Sequence, residues 1–200
     1  MIEVEEDPYT VKPMPNSVTV KIALPKEWIT KGGIHVVANV DKAFKEIKYY
    51  EAEVIAVGKN CPKDIKVGNV YLLDKFGGYK VTTEGEHLIK VVEHTLLLGE
   101  VKKNISSEYY PHFERLLIKE TELGNKTDAG IIVPNKLSDA FHQDTLRGVV
   151  INKAPDVGDH INVGDTVIWE KHAGVTMQFE DGVFISIPKY CLIAKIEAPQ

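Results

Sequence analysis

The chain repeats itself. KVGNVYLL (66–73) lines up with NVGDTVIW (162–169) at an offset of 163 − 67 = 96, and GGIHVV (32–37) lines up with AGIIVP (129–134) at 130 − 33 = 97. Two features at nearly one offset mark a duplicated unit. With 200 residues to share, each copy is long enough to bury a core of its own. The first copy is expected from Met14 to Lys103 and the second from Pro111 to Glu197, joined by the polar stretch NISSEYY (104–110).

Val and Ile cluster in short runs broken by Gly, Pro, Asn and Asp and do not recur at helical spacing, which reads as all-β. Expected strands are SVTVKIAL (17–24), YEAEVIAVG (50–58), NVYLLD (69–74), LIKVV (88–92), TLLLGEV (95–101), ERLLIKE (114–120), RGVVINK (147–153), DTVIWE (165–170), GVFISI (182–187) and CLIAKI (191–196). Short strands at such intervals suit small barrels or sandwiches. Each copy also carries one segment too long for a hairpin turn, 25–46 and 121–144, and loops of that length are usually functional or mobile. The second holds Gly130-Ile131-Ile132-Val133-Pro134 among polar residues. Such an apolar island is either a strand that docks into another protein's groove or a core strand with a polar approach.

Several function classes are excluded or disfavoured. The net charge is −5, and all but two cations, Arg115 and Arg147, are Lys, which argues against nucleic acid as a partner. No apolar run reaches membrane-spanning length, and the acidic start MIEVEEDPYT is no signal peptide, so a cytosolic location is expected. Cys61 and Cys191 form no C-x-x-C pair and read as two buried thiols, although a single disulfide stays open. Phosphate-loop, dinucleotide, zincin and nucleophile-elbow motifs are missing, so neither an enzyme nor a cofactor is indicated. His142 with Asp139 and Asp144 reads as solvated loop rather than as a metal site.

The second copy resembles the GroES-type co-chaperonins, the small β-barrel lids of the chaperonin chamber. The likeness rests on 111–118 (PHFERLLI), Ala129-Gly130-Ile131-Ile132-Val133, Arg147-Gly148-Val149-Val150, Val163-Gly164-Asp165-Thr166-Val167 and 190–196 (YCLIAKI), in the family's order. The first copy is similar but more divergent. It keeps Gly32-Gly33-Ile34, 53–58 (EVIAVG), Lys66-Val67-Gly68 and 76–81 (FGGYKV), but has Ala52 for the family's Gly and Asn69 for the turn Asp, and its opening strand lacks an Arg. Its loop triplet reads Ile34-His35-Val36.

The resemblance implies two tandem GroES-like barrels, each with a long mobile loop, and a partner: a GroEL-type chaperonin loaded with ATP. By position, Ile131, Ile132 and Val133 would be the main anchors in the groove that held unfolded substrate. Ile34, His35 and Val36 would form a weaker second set. His35 either tunes the first loop or records drift in a loop that no longer docks, since burying a polar group without a partner costs roughly 1–3 kcal/mol. Family lids are sevenfold rings, and pairs cannot tile seven. The expected assembly is therefore a homo-oligomer or a mixed ring with a single-domain co-chaperonin. Interface candidates are the opening and closing strands of each copy. The segments 59–68 and 152–164 leave little room for the hairpin that roofs the family's dome. The expected compartment is cytoplasm, bacterial or phage-infected, or an organelle interior after loss of a transit peptide. The competing reading keeps the barrels as a ring-forming structural module, for example of a phage assembly, without chaperonin binding.

Overall fold

The computed structural model describes residues 11–23, 28–29, 35–36, 49–84, 87–121 and 145–196. Packing divides the chain into two compact units, Met1–Leu97 and Leu98–Gln200. The fold is all-β, as two tandem GroES-like domains require. The strands are β1 (Ser17–Ala23), β2 (Trp28–Ile29), β3 (His35–Val36), β4 (Tyr49–Val57), β5 (Val70–Asp74), β6 (Tyr79–Glu84), β7 (His87–Glu93) and β8 (Leu97–Val101). They continue as β9 (Tyr109–Pro111), β10 (Arg115–Glu120), β11 (Thr145–Lys153), β12 (Thr166–Glu170), β13 (Val175–Phe179), β14 (Gly182–Pro188) and β15 (Leu192–Ile196). One sheet runs β6-β7-β1-β4-β5-β8-β9 and another β13-β14-β10-β11-β12-β15, and β2 pairs with β3 alone.

The internal repeat is visible bond by bond. Val54 N–H donates to Asn69 O and Gly68 N–H returns to Val54 O. In the second copy Val150 N–H donates to Asp165 O and Gly164 N–H returns to Val150 O. Both turn glycines have φ near 90°, +89° at Gly68 and +93° at Gly164, a conformation that a side chain resists. Gly58 N–H reaches Ser17 O as Ala154 N–H reaches Arg115 O, and His94 N–H reaches Asn16 O as Lys189 N–H reaches Glu114 O. Three-residue 3-10 turns, His94–Leu96 and Lys189–Cys191, lead into five-residue closing strands, β8 and β15.

Alternation along the strands builds two separate cores. Val18, Val20, Val54, Ile65, Tyr71, Leu73 and Val92 fill the first. Leu116, Ile118, Val150, Ile161, Val167, Trp169 and Ile187 fill the matching places in the second. Leu73 and Trp169 stand at one repeat position, so the second core accommodates a fully buried indole where the first holds a leucine. Ala52, the residue that departs from the family's Gly, is also fully buried in the first core.

Two expectations about the strands change. β1 lies between β7 and β4, and β10 between β14 and β11, so neither opening strand has a free edge to offer a neighbour. Short strands β6, β9 and β13 appear where none was expected. The stretches Gly58–Asn69 and Ala154–Asp165 contain turns and one 3-10 turn but no strand, so no roof hairpin is formed there.

The polar connection is structured. Ser106 donates to Asp181 through both its backbone N–H (2.9 Å) and its hydroxyl, and Glu180 N–H donates to Asn104 O at 2.9 Å. These bonds hold the stretch against the β13–β14 turn within the second unit. Hydrogen bonds from Ser106 also hold the Asp181 carboxyl below its ordinary pKa.

Candidate functional site

A long segment opens from the same place in each unit, between the first two long strands. In the first it leaves after Ala23 and returns at Tyr49; in the second it leaves after Thr121 and returns at Thr145. The second root is tight. Thr121 N–H donates to Arg147 O at 3.0 Å, and Glu120 pairs with Gly148 across the β10–β11 ladder. A Cβ on Gly148 would lie 2.4 Å from Lys119 O and 2.8 Å from Ile118 Cγ2. The glycine is therefore demanded by close approach of two backbones at the root of the segment.

Of the six expected anchor residues, Ile131, Ile132, Val133 and Ile34 lie outside the described residues. His35 and Val36 form β3, antiparallel to β2, with Ile29 opposite His35 and Trp28 opposite Val36. The first segment thus contains a short two-stranded ladder that carries two of its three triplet residues. His142, Asp139 and Asp144 also lie outside the described residues. Among those described, no group of three or more His, Cys, Asp or Glu is placed to hold a metal. No described helix is long and apolar enough to cross a membrane.

Both cysteines are free. Cys61 Sγ lies 3.4 Å from Ser17 O, and burial pushes both thiols above their ordinary pKa. They read as structural groups rather than nucleophiles.

The sequence reading missed the groups that organise the turns and the connection. Lys90 is 8% exposed on a core-facing strand, and its ammonium donates to Gly77 O at 2.8 Å and to Lys75 O at 3.4 Å. Tyr109 is fully buried, with its ring against Phe179 at 5.5 Å and its carbonyl accepting from Asn152 Nδ2 at 2.8 Å. Burial drives its phenol pKa well upward. Apolar Tyr-Tyr-Pro inside a polar stretch was the available signal for Tyr109; an isolated lysine among apolar residues was the one for Lys90. Exposed apolar groups include Phe76 and Tyr79 at the β5–β6 turn, Met14 before β1, and Ile193 and Ile196 on β15.

Comparison with known proteins gives these features a context. The family described as Chaperonin 10 Kd subunit (Cpn10) matches the chain twice, over residues 10–99 and 108–196. The chloroplastic 20 kDa chaperonin of Spinacia oleracea is 28% identical over 189 residues, spanning 86% of this chain and 69% of that protein. Single-copy relatives align with about half of the chain. Co-chaperonin GroES of Kosmotoga olearia is 36% identical over 88 residues, 44% of this chain and 94% of its own. That of Halothermothrix orenii is 42% identical over 84 residues, 40% of this chain and 84% of its own.

Proposed function

The chain belongs to the chaperonin 10 family and serves as a co-chaperonin, and we propose that it caps an ATP-bound GroEL-type chaperonin ring through the apolar triplets of its two long segments. The observation that supports this reading is the double match: the family model fits two successive stretches of one chain, and the 20 kDa chaperonin relative aligns along 86% of it. The structural-module alternative is not favoured by those relatives.

In the proposed mechanism Ile131, Ile132 and Val133 enter the chaperonin groove as a β-ladder, and Ile34, His35 and Val36 make the weaker contact. Ordering a long segment costs conformational entropy, so each contact is weak alone and several on one ring act together. Weak individual contacts allow release at each ATP cycle. The chaperonin hydrolyses the nucleotide, while this chain contributes no covalent step. Domains bounded at 14–103 and 111–197 assemble as a homo-oligomer or with single-domain copies, in cytoplasm or an organelle interior. Without roof hairpins at 58–69 and 154–165, the crown of such a lid is open.

The test is co-sedimentation with a cognate chaperonin in ATP or ADP, alongside the chaperonin's ATPase rate. Nucleotide-dependent binding with altered ATPase is expected. Ile132→Ser should weaken capping at least tenfold, as a desolvated polar group in a groove would. His35→Ser should change it little. Equal loss from both variants, or from neither, contradicts unequal loops; no binding in any nucleotide removes the co-chaperonin mechanism.

A further inference from the structure

The first long segment differs from the second in more than its triplet. β2 and β3 pair only with each other, Trp28 opposite Val36 and Ile29 opposite His35. Residues opposite one another in an antiparallel ladder share a face, and successive residues along a strand alternate between faces. Trp28 and Val36 therefore stand on one face of the ladder, and Ile29 and His35 on the other. The residues between the two strands include Gly32 and Gly33, a composition that suits a hairpin connection. At the same distance ahead of its own triplet the second copy has Asn125 and Lys126, so the Trp-Ile pair belongs to the first copy alone.

The register changes what His35 means. Along the chain the imidazole interrupts an apolar island; on the ladder it belongs to one face, and the other face is apolar at both places, Trp28 and Val36. We propose that the first segment docks in the chaperonin groove by this second face, with Trp28 as an anchor beside Val36 and His35 left on the solvent side. The inference rests on the capping mechanism above and adds an anchor to it that the triplet motif does not contain.

A two-stranded ladder with no third strand is marginal in water, so it gains most from a surface that covers one of its faces. Val36 belongs to the triplet that enters the groove in the capping mechanism, and the face it shares with Trp28 is continuous with that contact. A tryptophan brings a large apolar area for few rotatable bonds, which is why this residue recurs among the anchors that dominate interfaces. Docking by this face also leaves the imidazole hydrated and avoids the cost of burying it without a partner. A ladder formed before docking has less conformational freedom to lose. The two segments thus bind by different means, the second through three consecutive apolar residues and the first through a cross-strand pair.

The experiment titrates the full chain against its cognate chaperonin in ATP or ADP by co-sedimentation, with circular dichroism to confirm folding and tryptophan emission read in the same mixtures. Trp28→Ser should weaken capping by roughly tenfold or more, and Ile29→Ser, on the other face, should leave it within about twofold. Trp169, the one other tryptophan, is fully buried in the second core, so the difference in emission between wild type and Trp28→Phe reports Trp28. That difference should shift to the blue on capping. A wild type that caps while Trp28→Ser caps as tightly overturns the inference and leaves the capping mechanism standing. So does equal loss from Trp28→Ser and Ile29→Ser, or a Trp28 emission unchanged on capping, the result for an indole that rests on its own barrel. A wild type that binds in no nucleotide overturns both.

Discussion

Lys90 shows how one residue can individualise a copy. In the second domain the same place on the ladder is occupied by Ile185, a member of its core, and the turn opposite carries Ala173 where the first has Gly77. The lysine replaces an apolar contact by an ammonium that clips the carbonyls of the β5–β6 turn, the turn that presents Phe76 and Tyr79. Burial lowers its pKa, with the Asp74 charge opposing. A lysine whose folded pKa is depressed penalises the fold while it is charged. That penalty is fully present below the folded pKa and fades as pH rises toward the ordinary value of about 10.4. The stability of the wild type relative to Lys90→Met should therefore increase through the alkaline range, read by urea unfolding at stepped pH. A flat difference would mean that the ammonium is as well solvated folded as unfolded. Gly148 gives the second residue-scale expectation. Its Cβ would meet the β10 backbone, so Gly148→Ala should cost about 1–3 kcal/mol in urea unfolding. The repeat position in the first copy already holds alanine, at Ala52, and Ala52→Gly should lose only the small stabilisation that a buried methyl gives.

Elements are stapled by charge as well as by ladders. Asp165, at the turn before β12, accepts from Asn162 N–H and pairs with Lys195 on β15, both at 2.7 Å. The Lys195 bond, then the Asn162 bond, hold its carboxyl below the usual pKa. A depressed carboxylate stabilises the fold above its unfolded pKa and loses that contribution as pH falls through the folded value. Asp165→Asn should thus be less stable than wild type at neutral pH, by an exposed pair's modest amount, with the difference shrinking as pH falls below about 4 and vanishing only below the lower folded value. Thermal melts at both pH values decide it. The ten strands rich in Val, Ile and Leu were legible in sequence because their inward faces repeat with period two and their ends are punctuated by turns. β6 and β13 were not, since YKVTTE and VTMQF carry mixed polar faces and owe their strand state to pairing with β7 and β14. β9 hid at the end of a polar stretch, where Tyr109 and Pro111 are its buried residues. Of the triplet residues, proposed from motif and position, His35 and Val36 fall among the described residues and form β3. Of the closing strands singled out as interface candidates, β15 ends its sheet while β8 is covered by β9, a difference the sequence did not reveal.

At the scale of the molecule, the proposed mechanism couples capping to assembly. A loop that must order itself on docking binds weakly, and linkage of several loops on one ring multiplies their effect through effective concentration. On the proposed mechanism each chain would supply one strong triplet and one containing His35, so a lone chain would offer little avidity. Ile132→Ser should therefore assemble as the wild type does in sedimentation velocity yet fail to co-sediment with the chaperonin in ATP, whereas His35→Ser should do both. If Ile132→Ser capped as tightly as wild type, the triplets would not be the source of tight binding, and the chain would have to make contacts beyond them.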